Sequence, residues 1–569
     1  MARMRRAWPA LLLIVFTVLF VIVNRGAYQG FFHGDELDNI QWTRYLSPAD
    51  WLRGLLSLKY YPQNFRPVGH FYFNLMGRWA ALDFRWYVLS VHLIHLLNVA
   101  LIWRLLRTRF SLPAPAAAAG CLLFGFHMGV FDALWKPMYI FDLLAAACSL
   151  WCLLWYARGD LAGRLASFVP FWLAFKSKEM AVMLPAVLAA WEFWLGRKKW
   201  KPLLPFFALS LALGAQALLV NVTRNSEYTL EFAPAAIWKS LSFYAGRILL
   251  VPYAGLGVLA APWLLRDRRA YFGISFFLLL LFPMLLLSRR LFPAYLYLPL
   301  AGLAMVGGVA AARVPRIAVA AFFVLWLPFQ HASLRAQRRE ALSLADENRR
   351  YVSQVREIVR ANPEATVFIY DGVPAALHSW GIAAAVRYFA GRGDLEFHSA
   401  EQRDLARMLR QGSGVVLLSW DPVHRELQAL ARAPSQPEAS YIRMGRLAPV
   451  WQLGEGWYSL SGHFRWCRPY ATARLRRPPG TEAFELEVNM GPPPVRQPIE
   501  ARVFVNGEIV GAKRLARGSG WHTLRWPVKA GPPGAAWVEF RVEPPFVADP
   551  VQPLGLAIGA FGFVGGQQP

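Results

Sequence analysis

Three carboxylates, Asp35, Glu36 and Asp38, fall within four residues shortly after an apolar run that ends at Val23. A carboxylate at the edge of an apolar slab can serve as general base toward a hydroxyl, and a neighbouring acid can orient it or help hold a divalent cation such as Mg or Mn. Cations follow along the chain: Arg66 before Pro67, Lys136, Lys176-Ser177-Lys178-Glu179 and Arg289-Arg290. Lys and Arg neutralise phosphate oxygens, so acids and cations together suit transfer of a group from a lipid phosphate to a hydroxyl acceptor. Taken singly, each has a plainer role, the acids as helix caps and the cations as side chains snorkelling to headgroups. His92, His95 and Asn98, at i, i+3 and i+6, make one polar stripe on an apolar helix. Hydrogen bonding to neighbouring helices is the ordinary use of such a stripe, and a polar cavity is the other.

The elements that must position these groups are membrane helices. The chain has 569 residues, 56% hydrophobic and 17% charged, with mean hydropathy +0.30, a balance too apolar for a soluble enzyme or a disordered chain. Apolar runs lie near 7–23, 86–103, 112–130, 138–156, 165–175, 181–195, 203–221, 236–264, 271–287, 294–311 and 316–330, about 11 spans with two of them short. Arg3, Arg5 and Arg6 precede the first run and no small-residue cleavage site follows it, so an uncleaved signal anchor is expected. Arg104/Arg107/Arg109, Arg158/Arg164, Arg197/Lys198/Lys199/Lys201, Arg266/Arg268/Arg269 and Arg313/Arg316 all fall in connections on the side of the N-terminus. Positive-inside bias then makes that side cytoplasmic and turns the loop 24–85, the turns near Asp132, Lys176–Glu179 and Arg289, and everything after about Gln330 outward. About 17 basic residues are accounted for in this way, so the net charge of +26 reports orientation and a nucleic-acid partner is excluded. Cys121, Cys148, Cys152 and Cys467 make no disulfide framework.

Beyond His331 the composition becomes soluble. Segments 1–331, 332–445 and 446–569 are expected to be a membrane domain, a periplasmic α/β segment and a β-sandwich. In the second, apolar β-like runs Ala365–Tyr370 and Gly414–Trp420 alternate with helical stretches Ala375–Ala390 and Ala400–Gln411, and no Gly-rich phosphate loop opens a helix. In the third, Ala471–Leu475, Phe484–Met490, Glu500–Phe504, Thr523–Val528 and Ala536–Val542 are short strands separated by turns such as Asn506-Gly507. Its tryptophans are expected in the sandwich core. Asn221-Val222-Thr223 fits a glycosylation sequon, given little weight at a helix end.

In order and sidedness these motifs resemble the C-type (GT-C) polyprenyl-phosphate-sugar glycosyltransferases, particularly protein O-mannosyltransferases and their tetratricopeptide-bearing relatives. Asp35-Glu36 matches the acid pair of the family's first outward loop. Arg66-Pro67, Phe71–Phe73 and the helix with His92, His95 and Asn98 follow in family order, then His127 with Asp132, Ser177-Lys178-Glu179 and Tyr295–Pro299. Departures are Ala294 where an Arg commonly stands, Ile140 where some relatives have Arg, and the absence of tetratricopeptide repeats. The C-terminal stretch resembles jelly-roll modules of bacterial sugar-processing membrane proteins, which implies either glycan binding through exposed Trp or a rigid lid.

The resemblance implies an inner-membrane enzyme with a GT-C-like bundle that transfers a sugar from a polyprenyl-phosphate donor to a glycan, lipid or protein acceptor at the periplasmic face, with inversion. It implies Asp35 as general base, Glu36 as its orienter or a cation ligand, and Asp132 as a second acid. Arg66, Lys178, Arg289 and Arg290 become phosphate or structural cations, with Glu179 pairing Lys178. His92, His95, Asn98 and Glu179 are further cavity candidates. Transfer of a preassembled lipid-linked oligosaccharide, or a non-enzymatic transporter or scaffold, are the alternative functions.

Overall fold

Each apolar run becomes helix, but the helices differ in length from the runs. The computed structural model describes residues 2–58, 65–220, 227–402, 407–409, 414–431, 438–445, 448–489, 498–515, 520–544, 546–549 and 552–565. Among these, five helices are long and apolar enough to cross a membrane: Phe84–Thr108, Ala114–Trp135, Pro137–Tyr156, Arg268–Leu285 and Arg316–Ser333. Leu13–Gln29 and Gly34–Thr43, bent by 83° to each other, make a sixth if they are one broken span.

The run 236–264 is not one helix: Pro234–Ile248 stops, Leu250 and Tyr253 take left-handed conformations, and short turns follow from Ala254. Pro252, inside the run, is incompatible with an uninterrupted helix there. The run 294–311 likewise yields the 3₁₀ turn Pro293–Leu296 and then the helix Leu300–Ala311, which starts immediately after Pro299. The sequon at Asn221 and the end of the stretch Ala400–Gln411 lie outside the described residues.

The chain divides into two compact units, Met1–Phe32 with Asn39–Ala345, and His33–Asp38 with Asp346–Pro569. The division falls inside the continuous helix Arg335–Ala361. In the first unit small residues bring helices together. A Cβ on Gly120 would lie 2.5 Å from the carbonyl oxygen of Ala304, and one on Gly302 would collide with that of Gly273. Leu300–Ala311 thus packs backbone to backbone on two neighbours, a device of bilayer helices, which have no hydrophobic gain from burying apolar surface against one another.

The second unit carries a four-stranded sheet of β1 (Val367–Asp371), β2 (Glu396–Ser399), β3 (Val415–Asp421) and β4 (Glu426–Leu430), in order β2-β1-β3-β4. β1 is parallel to β2 and β3, with the helix His378–Ala390 in the β1 to β2 crossover. The remaining strands are β5 (Tyr441–Arg443), β6 (Trp457–Ser461), β7 (Phe464–Cys467), β8 (Tyr470–Arg477), β9 (Ala483–Asn489), β10 (Ile499–Val505), β11 (Glu508–Leu515), β12 (Trp521–Pro527), β13 (Gly534–Glu543), β14 (Phe546–Asp549), β15 (Gln552–Leu554) and β16 (Ala557–Val564). They form a sheet β11-β10-β13-β8 and a six-stranded sheet β12-β9-β16-β7-β6 in which β5 also pairs β16. Asn506 and Gly507, with φ of 50° and 84°, make the two-residue turn from β10 to β11 that positive φ at both positions requires.

Alternate residues of β9 and β10 point into one core with Trp457, Phe540 and Phe561, and Ile369, Val415 and Leu417 of the parallel sheet join the same cluster. One buried ion pair crosses this junction. The Arg465 guanidinium donates to both oxygens of Asp371 at 2.7 Å, with side chains 3% and 2% exposed, while Ser419 Oγ donates to Asp371 at 2.9 Å. Removing one member leaves the other charged and dry, which costs about 3–5 kcal/mol. Asp371→Ala is therefore expected to lower the unfolding midpoint of the detergent-solubilised chain sharply in circular dichroism melts. Glu500→Ala, which breaks the solvent-exposed pair with Arg502, is expected to shift it little.

Candidate functional site

The cations of the first unit gather where helices begin and end. Arg66 caps the helix Pro67–Trp79, whose start Pro67 sets by its fixed φ. Its Nε donates to Glu179 Oε1 at 2.8 Å, and its guanidinium stands 5.4 Å over the Phe141 ring. Lys178 caps the C-terminus of the helix Leu161–Ser177, and its Nζ lies 2.6 Å from both carboxylate oxygens of Asp142. Asp142 sits in the first turn of Ile140–Tyr156, where the helix dipole favours a negative charge. The same ammonium is 4.9 Å from the Tyr295 ring, and Arg290 Nε donates to the Tyr295 hydroxyl at 2.9 Å. Arg290 also pairs Glu227 at 2.5 Å and covers the rings of Tyr228 and Phe292. Tyr295 is thus the hub between Lys178 and Arg290.

Burial alone would raise the Glu179 carboxyl, but Arg66 beside it wins and holds it below the ordinary Glu range. Burial likewise opposes the Arg66 charge, and Glu179 and Asp142 more than restore it. The expected partnership of Lys178 with Glu179 is corrected: Glu179 pairs Arg66 and Lys178 pairs Asp142. Lys178 is extended, at φ −161° and ψ 143°, so adjacent side chains diverge instead of meeting. A largely apolar groove of about 530 Å³ is lined by Leu46, Trp51, Leu55, Pro67, Phe71 and Leu173, with Asn74 and Arg78 as its polar members.

Other expected members have separate partners. Arg289 Nε meets Glu231 at 2.9 Å, with its side chain 51% exposed, and Asp132 meets Lys136 at 3.0 Å. His127 is buried and hydrogen-bonds the Ile248 carbonyl. The polar stripe joins helices: His92 reaches Tyr28 and the Leu134 carbonyl, His95 reaches Tyr297 and the Gly125 carbonyl, and Asn98 donates to the Leu143 carbonyl and Tyr297.

Asp35 and Glu36 belong to the second unit. Glu36 is fully buried, and its carboxylate accepts the backbone N–H of His33, closing the start of the helix Gly34–Thr43. Asp35 is exposed, Trp380 Nε1 donates to its Oδ1 at 2.8 Å, and His378 stacks on the Trp380 ring at 4.4 Å. The Gly34 N–H donates to the Ala376 carbonyl at 3.1 Å. A Cβ on Gly34 would collide with the Leu377 carbonyl oxygen, so glycine alone fits this seat.

Glu36 is thus committed to the helix start, while the Asp35 carboxylate stays exposed. Among the described residues no group of three His, Cys, Asp or Glu side chains could hold a metal. Asp142, Tyr228 and Trp380 were not singled out from the sequence. A signal existed for Asp142, a lone ionisable residue inside an apolar run. For Trp380 there was none, because it lies 345 residues from its partner.

No family model and no curated protein matches the chain. Solved structures similar to it include ArnT from Cupriavidus metallidurans in the apo state, 15% identical over 78% of this chain and 96% of that one, with a TM-score of 0.47. ArnT bound to undecaprenyl phosphate is 14% identical over 74% and 94%, at a TM-score of 0.46. The arabinofuranosyltransferase AftD from Mycobacteria is 11% identical over 98% of this chain and 58% of that one, at 0.43.

Lys178→Met leaves Asp142, with its side chain 3% exposed, charged and unpaired, at a cost of about 3–5 kcal/mol. The variant is expected to lose folded yield and thermal midpoint in detergent. Asp142→Leu added to it is expected to recover much of both, whereas Arg289→Ala, at an exposed pair, changes neither appreciably.

Proposed function

We propose that the protein is a bacterial inner-membrane glycosyltransferase that moves a sugar from a polyprenyl-phosphate donor to an acceptor hydroxyl on a glycan, lipid or protein at the periplasmic face. The observation that carries this reading is the meeting of Lys178 and Arg290 at Tyr295, with Arg66 held by Glu179, the residue after Lys178, and followed by Pro67, which lines an apolar groove. Cations at helix ends suit a phosphate, and a groove walled by Leu, Trp and Phe suits an isoprenoid tail. Every one of these cations already has an acidic or phenolic partner. The donor phosphate therefore exchanges with a carboxylate, which keeps the charges compensated when the site is empty.

In this reaction Asp35 is the general base. Its carboxylate takes the proton of the acceptor hydroxyl, the acceptor oxygen attacks the anomeric carbon, and the bond from that carbon to the phosphate oxygen breaks with inversion. The electron pair leaves with polyprenyl phosphate, whose charge Arg66, Lys178 and Arg290 neutralise. Trp380 holds one carboxylate oxygen of Asp35 and so fixes the plane of the other. Asp132 is a second acid already paired with Lys136, and Arg289 is a peripheral cation. The sequence patterning supports an N-terminus in the cytoplasm and a periplasmic C-terminal region.

The test is sugar transfer by the purified protein in detergent, from polyprenyl-monophosphate sugars and, separately, from lipid-pyrophosphate oligosaccharides. Transfer from the monophosphate donor is expected, and product formed without a second compartment excludes pure transport. Asp35→Asn is expected to reduce the rate by about 10²–10⁴-fold with little change in folding. Full activity of Asp35→Asn refutes the assignment of the base, and consumption of only the pyrophosphate donor makes the protein an oligosaccharide transferase instead.

A further inference from the structure

The broken run 236–264 folds back on itself around Pro252. Leu250 and Tyr253 take φ of 55° and 59°, a region that residues with side chains occupy only when packing holds them there. A Cβ on Gly255 would collide with the Ala245 carbonyl oxygen, and one on Gly246 would stand 3.8 Å from Pro252 Cα. The Ile248 carbonyl meets His127 Nε2 at 2.8 Å, which fixes the helix end from the other side. The turn therefore lies along the last turn of its own helix, and with Ser333, Leu334 and Gln337 it borders an open pocket of about 490 Å³. That volume falls within the roughly 300–1,000 Å³ usual for small-molecule sites.

Two polar side chains of this pocket lack protein partners. Arg247 is half-buried, with its guanidinium 5.2 Å from the Phe243 ring one turn back, and among the described residues it has neither a carboxylate nor a hydrogen-bond acceptor. By leaning toward Phe243 it leaves the C-terminal carbonyls of its helix, the ordinary place for a last-turn cation. It also differs from the more buried Arg66 and Lys178, which are paired with carboxylates, in that water is its partner when the pocket is empty. Gln337, half-buried on the helix Arg335–Ala361, likewise has no hydrogen-bond partner among the described residues. Among those residues no carboxylate lines the pocket, and neither Arg335 nor Arg338, close to Gln337 in sequence, is in an ion pair. The helix Arg316–Ser333 is long and apolar enough to cross a membrane, so its end at Ser333 stands at a bilayer–water boundary. Trp238 and Tyr253, each more than half exposed and stacked on one another, have the amphipathic rings that this level favours.

We propose that this pocket binds the headgroup of an anionic phospholipid, with the phosphate on Arg247, glycerol or ester oxygens on Gln337, and the start of an acyl chain along Leu250, Pro252 and Tyr253. The guanidinium is a planar fork of donors that matches phosphate oxygens two at a time, and here no carboxylate competes for it. A zwitterionic lipid brings its own ammonium into a pocket that already carries excess positive charge. A free phosphate leaves the apolar part of the lining in water. None of Asp35, Arg66, Lys178 or Arg290 lines this pocket, so the lipid held here is a bound component of the protein and not the sugar donor, and the proposal stands apart from the transfer reaction.

The full-length protein, purified in an uncharged detergent, is titrated with dioleoyl-phosphatidylglycerol and, separately, dioleoyl-phosphatidylcholine, and its bound lipids are counted by native mass spectrometry. Preferential retention of phosphatidylglycerol is expected. Arg247→Gln is expected to weaken one bound phosphatidylglycerol about fivefold, the contribution of one cation beside an anionic headgroup, and Arg247→Lys to weaken it less. Without anionic lipid Arg247→Gln is expected to melt like the unaltered protein, because the guanidinium has no protein partner to lose. Gln337→Ala, expected to weaken the same lipid roughly threefold, keeps the test open if the arginine variant folds poorly. Binding is the readout, so failure of the sugar-transfer assay leaves this result untouched. Equal retention of the two lipids, unchanged phosphatidylglycerol affinity in Arg247→Gln, or displacement of the bound lipid by millimolar inorganic phosphate overturns the proposal.

Discussion

A cation placed among apolar helix ends must have a partner before any ligand arrives, and the arrangement of the first unit follows from that requirement. Arg66, Lys178 and Arg290 are each set against an acid, and the acids lie 113, 36 and 63 residues away in the chain. The pairs therefore link helices as well as neutralise charge. A helix that slid by one turn would separate Lys178 from Asp142 and leave two dry charges, a penalty comparable to a large part of a domain's net stability. The polar stripe of Phe84–Thr108 acts in the same sense, because His92, His95 and Asn98 all find partners on other segments.

The second unit solves a related problem by close backbone approach. The acid-bearing turn at Gly34 meets Leu377 and Gly381 at distances that no side chain tolerates, which lets Trp380 reach Asp35. Elsewhere in this unit Arg465 and Asp371 join the parallel sheet to the sandwich with a bidentate pair held in a shared apolar core. Both contacts are short and directional, so the segments they join have little freedom to shift without losing them. Neither acid can be replaced by an apolar residue of similar size without leaving its donor unmet.

Much of the fold was legible because hydrophobic runs and turn residues act locally. The helices over 86–103, 138–156, 271–287 and 316–330 and the strands around 471–475, 500–504 and 536–542 sit where the pattern puts them, within the usual shift of a few residues at the ends. The breaks in 236–264 and 294–311 were also present in the sequence, as Pro252 and Pro299, although average hydropathy conceals them. The partners of the charged residues were not legible in this way. Glu179 adjoins Lys178 in sequence and yet pairs Arg66, 113 residues earlier, because an extended backbone turns neighbours to opposite sides.

The amino-acid sequence by itself determined that the chain is an apolar helical protein with a charged, sheet-forming C-terminal part. It also supplied the acids and cations from which a site could be built, since composition and periodicity are sums over neighbouring residues. Tertiary structure alone decided what those groups meet: Lys178 with Asp142, Arg66 with Glu179, and Asp35 with Trp380. Those pairings depend on helix ends and a glycine seat converging from distant parts of the chain, and no local pattern encodes that convergence.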